Sequence, residues 1–326
     1  MGKYMQKSSF QKYSKHENPR KFQTLRSHIS IRQIKENLWG YFFIFPQILG
    51  FLVFAVLPIL TATVLVFVKW NMVSPIEFTG LENIREVFTD KHELLSHALS
   101  NTAIFTVGIV PITLIAGLLV AILLKKPNAL SKFYKTSLFL PFVTASAAIS
   151  LVWYWMLAPG VGLINTILSF VGIIGPEWLR EPVWARIAII SYVVWQNLGY
   201  AYLIFGAGLE NIPTSFYEAA KIDGAKKWDE FRYITLPLLS PTTFFLMTTL
   251  VIGSFNLFSE VFIITGGTGG PLLSTYTLVM YIYQLAFSYF NMGESAVVSW
   301  ILFIILFIIT FINFRFSKKW VYYIED

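Results

Sequence analysis

The stretch Asn211–Pro237 reads NIPTSFYEAAKIDGAKKWDEFRYITLP. It is short and charged, it is flanked by long apolar runs, and its local signals describe a folded unit. Ser215-Phe216-Tyr217-Glu218 has the form of a capping box, in which the serine oxygen accepts from first-turn amides and the glutamate reaches back. A short helix through Ala219 and Ala220 is expected next, ended by Gly224, which takes a positive φ without a steric penalty. A second helix is expected from about Lys226 to Thr235, closed by Pro237, which lacks an N–H for the ladder. Helix, glycine, helix makes an elbow, and the small Ala219 and Ala220 let a second backbone come close. On these signals alone the elbow either docks a partner or merely joins the apolar runs beside it.

Those runs dominate the chain. Of 326 residues, 56% are hydrophobic and 13% charged, against roughly 45–50% and about 25% in soluble domains. So little charge cannot cover a soluble surface, and the solvent is lipid. A charge at the bilayer centre costs at least about 2.5–3.5 kcal/mol, so charge-free gaps of about 20 residues locate the spans. They are read near residues 43–68, 101–124, 137–156, 187–205, 238–258 and 295–314, with the elbow (211–237) between the fourth and fifth. The gap 261–293 opens with the breaker cluster Gly266–Pro271, and its apolar run Thr277–Phe287 is too short to cross. It is read as a loop plus an interfacial helix, and Val161–Ile174 is treated alike. The expected fold is all-α and polytopic, with six transmembrane helices in a membrane domain over 40–317, a basic tail over 1–39 and a short tail over 318–326.

Charge bias agrees with an even number of spans. Twenty of the 25 Lys and Arg fall in the tail, in the loops after spans 2 and 4, and after span 6. That bias places both termini on the cytoplasmic side. The first span carries no small-residue cleavage site behind it and reads as a retained helix. The net charge of +7 resides in residues 1–39, with nine basic and two acidic side chains, while the rest of the chain has 16 of each sign. The basicity is thus an orientation signal and a match for anionic headgroups, and no nucleic-acid surface is expected.

Catalytic chemistry is missing. There is no cysteine, and His16, His28, His92 and His97 sit outside the spans without metal-ligand spacing. No G-x-x-x-x-G-K-[ST] phosphate loop occurs, so the chain does not hydrolyse ATP by itself. No catalytic residue, metal or cofactor is assigned to it. The spans also lack the acidic or histidine relay of a proton-coupled carrier; Glu260 and Glu294, both at helix ends, read as exposed charges at the membrane surface.

Glu218-Ala219-Ala220, three residues, Gly224, nine residues and Ile234-x-Leu236-Pro237 resemble the EAA signature of ABC importer permeases, with both spacings intact. The resemblance implies that the elbow is a coupling helix, with Glu218, Ala219, Ala220, Asp223 and Gly224 at the surface that docks on a cytoplasmic ATPase. It extends over nearly the whole chain and favours the carbohydrate branch, of maltose and glycerol-phosphate type. Phe78-Thr79-Gly80-Leu81-Glu82-Asn83, Leu140-Pro141, Gly162-Leu163-Ile164-Asn165 and Tyr281-Ile282-Tyr283 are similar to that branch's landmarks. The glycine loop Thr265–Pro271 is longer than its usual T-x-G-G-P. The resemblance further implies a second related permease, two copies of an ABC ATPase carrying ATP and magnesium, an external solute-binding protein, and a place in the bacterial cytoplasmic (inner) membrane.

A sugar path needs hydroxyl-pairing groups and aromatic faces at membrane depth. Amides inside a span are costly unless bonded, which draws attention to Trp195-Gln196-Asn197 and Tyr200 in span 4, Phe255, Asn256 and Ser259 in and after span 5, and Phe142 and Ser146 in span 3. By the same resemblance, positions matching these nine residues line the transport cavity; the alternative for each is packing between helices. Amino acids or peptides are the other importer cargo, but they carry charge, and no buried counter-charge is read in the spans. A self-contained secondary carrier is the rival class.

Overall fold

The computed structural model describes residues 31–125 and 131–322. Most of the basic tail, residues 126–130 and the last four residues lie outside that range. Among the described residues four helices are long and apolar enough to cross a membrane: Asn37–Leu65, His92–Leu123, Pro182–Glu210 and Met292–Trp320. Two bent pairs bring the number to six if each is one span. Phe133–Val143 meets Ser146–Met156 at 100°, and Lys227–Leu238 meets Ser240–Phe255 at 61°.

The chain divides into two units, Met1–Ile59 and Leu60–Asp326. Helix α1 (Ile31–Phe51) passes through a π turn (Leu52–Val56) into α2 (Leu57–Leu65), and the boundary falls within α2. Pro58 cannot donate to the carbonyl four residues back, so the turn before it widens and Leu57 N–H reaches Leu52 O instead. The rings of Trp39, Phe42, Phe43 and Phe54 are exposed, as suits a helix whose solvent is lipid.

After the end of α2 the second unit carries a small antiparallel hairpin, β1 (Val68–Lys69) with β2 (Glu77–Phe78). Helix α3 (Glu82–Phe88) follows, then α4 (His92–Leu123), α5 (Ser131–Val143), α6 (Ser146–Met156), α7 (Leu163–Phe170) and α8 (Pro182–Glu210). The elbow consists of α9 (Thr214–Ile222), α10 (Lys227–Glu230), a π turn (Phe231–Thr235) and α11 (Leu236–Leu238). Helices α12 (Ser240–Phe255), α13 (Ser259–Ile264), α14 (Leu278–Tyr283) and α15 (Met292–Trp320) complete it. Asn83 accounts for the Phe78–Asn83 landmark: its buried amide donates to Val66 O and Val68 O, both at 2.9 Å, and closes the loop after the first apolar helix.

Three local readings need correction. The elbow helix begins at Thr214, with Pro213 at the cap position and no side-chain cap, so Ser215 lies inside the first turn and makes no capping box. The side-chain cap stands at α10 instead, where Asp229 Oδ2 accepts from Lys226 N–H at 3.0 Å. Pro237 does not end the second elbow helix: as at Pro58, the turn before it widens, Leu236 N–H reaches Phe231 O, and the helix continues. The 61° bend comes later, where Pro241 has no N–H to give Pro237 O four residues back; Leu239 N–H turns to that carbonyl and the Ser240 hydroxyl donates to it at 2.6 Å. Finally, α14 is not an interfacial helix: Leu278, Met280 and Tyr281 are fully buried, because a run apolar all round but too short to cross is absorbed by the core.

Candidate functional site: a cavity between broken helices and a surface elbow

Gly199 decides how closely α5 approaches α8. A Cβ there would lie 2.0 Å from Leu138 O, so only glycine lets the two backbones touch. The same approach stacks Phe142 of α5 on Tyr200 of α8, with ring centroids 4.7 Å apart and planes 12° from parallel. Beside this pair lies a cavity of about 370 Å³, lined from α4, α5, α8, α12 and α13. Phe142, Gln196, Asn197 and Tyr200, all singled out in the sequence, line it together with Thr249, Ser254 and Glu260. The Asn197 amide donates to Val193 O in its own helix at 2.9 Å, which leaves its oxygen as the acceptor available to a ligand. Ser254 ties α12 to α4 through Thr106 Oγ1 at 2.9 Å.

The remaining path candidates lie elsewhere. Ser146, the first residue of α6, does not line the cavity but donates to Glu260 Oε1 at 2.6 Å. Trp195 packs on Trp153, centroids 5.6 Å apart, and is 40% exposed on another face of α8. Phe255 is buried in the core. Asn256 ends α12, its amide donating to Ile252 O, and is exposed; Ser259 starts α13 outside the lining.

Both acidic residues read as surface charges are corrected. Glu260 is half-buried and faces the cavity. Glu294 is wholly buried at the start of α15, held by Lys91 and Asn291. A hydrogen bond with Glu294, aided by burial and by the Glu294 charge, holds the Glu86 carboxyl above its ordinary value of 4.5 against the opposing Lys91 and Lys69. Their partners lie far away in sequence: Ser146 is 114 residues from Glu260, and Lys91 is 203 from Glu294.

The elbow is the second feature. Ala225 N–H reaches Ala220 O at 2.9 Å and Gly224 N–H reaches Lys221 O at 3.1 Å, with Gly224 at φ +78°, which together form a Schellman closure of α9. Tyr217 OH meets Thr235 Oγ1 at 2.9 Å and braces the two arms. Glu218, Ala219, Asp223 and Gly224 are exposed and Ala220 is half-buried. Phe216, Ile222, Trp228 and Tyr233 add exposed apolar surface around them. Among the described residues no cluster of three or more His, Asp or Glu suits a metal.

A helical membrane subunit with a polar cavity among broken helices and a braced surface elbow is the class these features define. The chain belongs to the family of binding-protein-dependent transport system inner membrane components, which it matches over residues 93–321. It is therefore an inner-membrane transport component. It is 38% identical over 291 residues to a probable ABC transporter permease protein, YesP, of Bacillus subtilis (strain 168), covering 89% of this chain and 93% of that one. It is 37% identical over 285 residues to the lactose transport system permease protein LacF of Rhizobium radiobacter, covering 86% and 94%. A crystal structure of a bacterial alginate ABC transporter, in complex with an alginate pentasaccharide-bound periplasmic protein, shares the fold: the TM-score is 0.76 at 21% identity, over 88% of this chain and 96% of that one.

Proposed function

We propose that this chain is one half of the translocation path of an ATP-driven importer for a carbohydrate, an oligosaccharide by preference. In this reading a second, related permease completes the path, two copies of a cytoplasmic ATPase dock on the elbows, and an external solute-binding protein delivers the cargo. Both termini face the cytoplasm. The chain itself catalyses nothing; ATP and magnesium belong to the ATPase, whose closure would draw the elbows together and switch the cavity between inward and outward access.

The cavity is the observation that carries the reading. Amides, hydroxyls and a stacked ring pair in a cavity between apolar helices match the alternating hydroxyl and C–H faces of a sugar. The lactose permease among its relatives supports the same cargo class. The exposed Glu218–Gly224 turn supplies the energetic connection.

The test is uptake of labelled neutral oligosaccharides by cells that produce the whole transporter. Glu218→Ala and Gly224→Val should reach the membrane at the parental level and abolish ATP-dependent uptake. Parental uptake in both variants refutes the coupling role. Uptake by this chain reconstituted without an ATPase would identify a secondary carrier instead.

A further inference from the structure

The cavity contains one charged side chain for which the proposed function has no use. Glu260 is the single carboxylate among the described residues of its lining; Gln196, Asn197, Tyr200, Thr249 and Ser254 supply the other polar atoms, and no Lys, Arg or His joins them there. No ion pair among the described residues involves it. Oε1 is occupied by the Ser146 hydroxyl at 2.6 Å, a bond that ties the start of α6 to α13, so each of the two helices that resume after a break contributes to it. Oε2 has no protein partner among the described residues.

We propose that Glu260 is a specificity-determining residue through which this path rejects anionic cargo. A fixed carboxylate acceptor binds the hydroxyl donors of an uncharged glycan and the ammonium of an amino sugar. It repels a uronate or a sugar phosphate. At about 4–5 Å and the effective dielectric of such sites, one like charge disfavours an anion on the order of several hundredfold. The inference rests on the carbohydrate reading, which it narrows to neutral and cationic glycans. It also assigns Ser146 a role: by occupying Oε1, that hydroxyl positions Oε2 for the cargo.

The absence of cysteine from the chain allows a direct measurement of the charge. Gly253 lines the cavity, and a Cβ placed there meets nothing within 4 Å, so Gly253→Cys fits without displacing a neighbour. In the assembled transporter in detergent, the rates of modification at residue 253 by a cationic and by an anionic methanethiosulfonate of matched size are read by peptide mass. The cation-to-anion rate ratio should exceed that of free cysteine by about tenfold. Adding Glu260→Gln, which keeps the acceptor for Ser146, should return the ratio to the free value; Glu260→Asp should preserve it. A ratio equal to free cysteine in the Gly253→Cys protein overturns the proposal, whether or not the Gln variant assembles. So does a raised ratio that Glu260→Gln leaves unchanged. With neutral, amino-sugar and uronate oligosaccharides as competitors, the same Gln variant should lose its discrimination against the uronate. The reagent ratio needs no sugar, so a transporter that moves no carbohydrate refutes the broader reading and leaves the electrostatic result standing on its own.

Discussion

Replacing Gly199 by alanine tests whether the close approach of α5 and α8 builds the cavity wall. The added Cβ would lie 2.0 Å from Leu138 O, 2.6 Å from Leu138 C and 2.7 Å from Phe139 Cα, where ordinary contact begins at 3.4 Å. All three atoms are backbone, so no side-chain rotation relieves the overlap, and α5 must retreat by about 1.4 Å. The Phe142–Tyr200 separation then grows from 4.7 Å toward the outer limit for an aromatic pair. Overpacking of this kind costs about 1–3 kcal/mol, and weakening the ring pair costs a share of about 0.5–1.5 kcal/mol. Alanine's better helix propensity returns up to about 1 kcal/mol. The net expectation is a loss of about 1–3 kcal/mol. Gly206, on the same helix, is the control: a Cβ there meets nothing within 4 Å, so Gly206→Ala should be neutral or stabilising by up to about 1 kcal/mol. Thermal unfolding in detergent, followed by tryptophan fluorescence, separates the two. If Gly199→Ala melts with or above Gly206→Ala, the close-packing argument fails.

Three further outcomes are expected. Lys91→Met strands the fully buried Glu294 carboxylate and should cost about 3 kcal/mol, the lower end for a broken buried pair because Lys91 is itself 34% exposed; adding Glu294→Gln should recover most of that loss, and equal melts for the single and double variants would refute the pairing. The raised Glu86 carboxyl makes the folded state bind its proton more tightly than the unfolded chain does, so its stabilising contribution is complete below pH 4.5 and is lost as pH rises through the elevated value; melts across that range should show a falling advantage of the parent over Glu86→Gln, and parallel curves would contradict it. Tyr217→Phe removes the brace to Thr235, worth about 0.5–1.5 kcal/mol, and should speed amide exchange across residues 225–235 without altering exchange in α4.

The elbow was legible because its determinants are local. Gly224 sits four residues past Ala220, and the αL closure it makes involves Ala220, Lys221 and Ala225, all within reach of one short stretch. Even there the start was misplaced by two residues, since Pro213, with φ fixed at −58°, serves as the cap and leaves Ser215 inside the helix. In the cavity, Gln196, Asn197 and Tyr200 announced themselves as polar groups within an apolar span. Trp195, one residue away, faces another side of α8, a phase that no local signal sets. Asn256 looked equivalent to Asn197, yet α12 ends at Phe255 and leaves it exposed as a cap. The two glutamates were misread for a plainer reason. Whether a helix-end carboxylate meets water or a partner depends on which distant segment packs over it, and Ser146 and Lys91 arrive from 114 and 203 residues away.

The Ser240 hydroxyl donates to Pro237 O and at the same time accepts from Tyr322 N–H at 2.8 Å. Mechanically it is a hinge pin through two knuckles: the arm that leads from the elbow into cavity-lining α12, and the strand of chain just behind α15. A swing of the arm is therefore felt at Tyr322, far from the elbow in sequence but on the same pivot. A spin label at neighbouring Val321 would act as a pointer on that pivot, reporting any change in the angle of the arm without touching the cavity or the exposed Glu218–Gly224 turn.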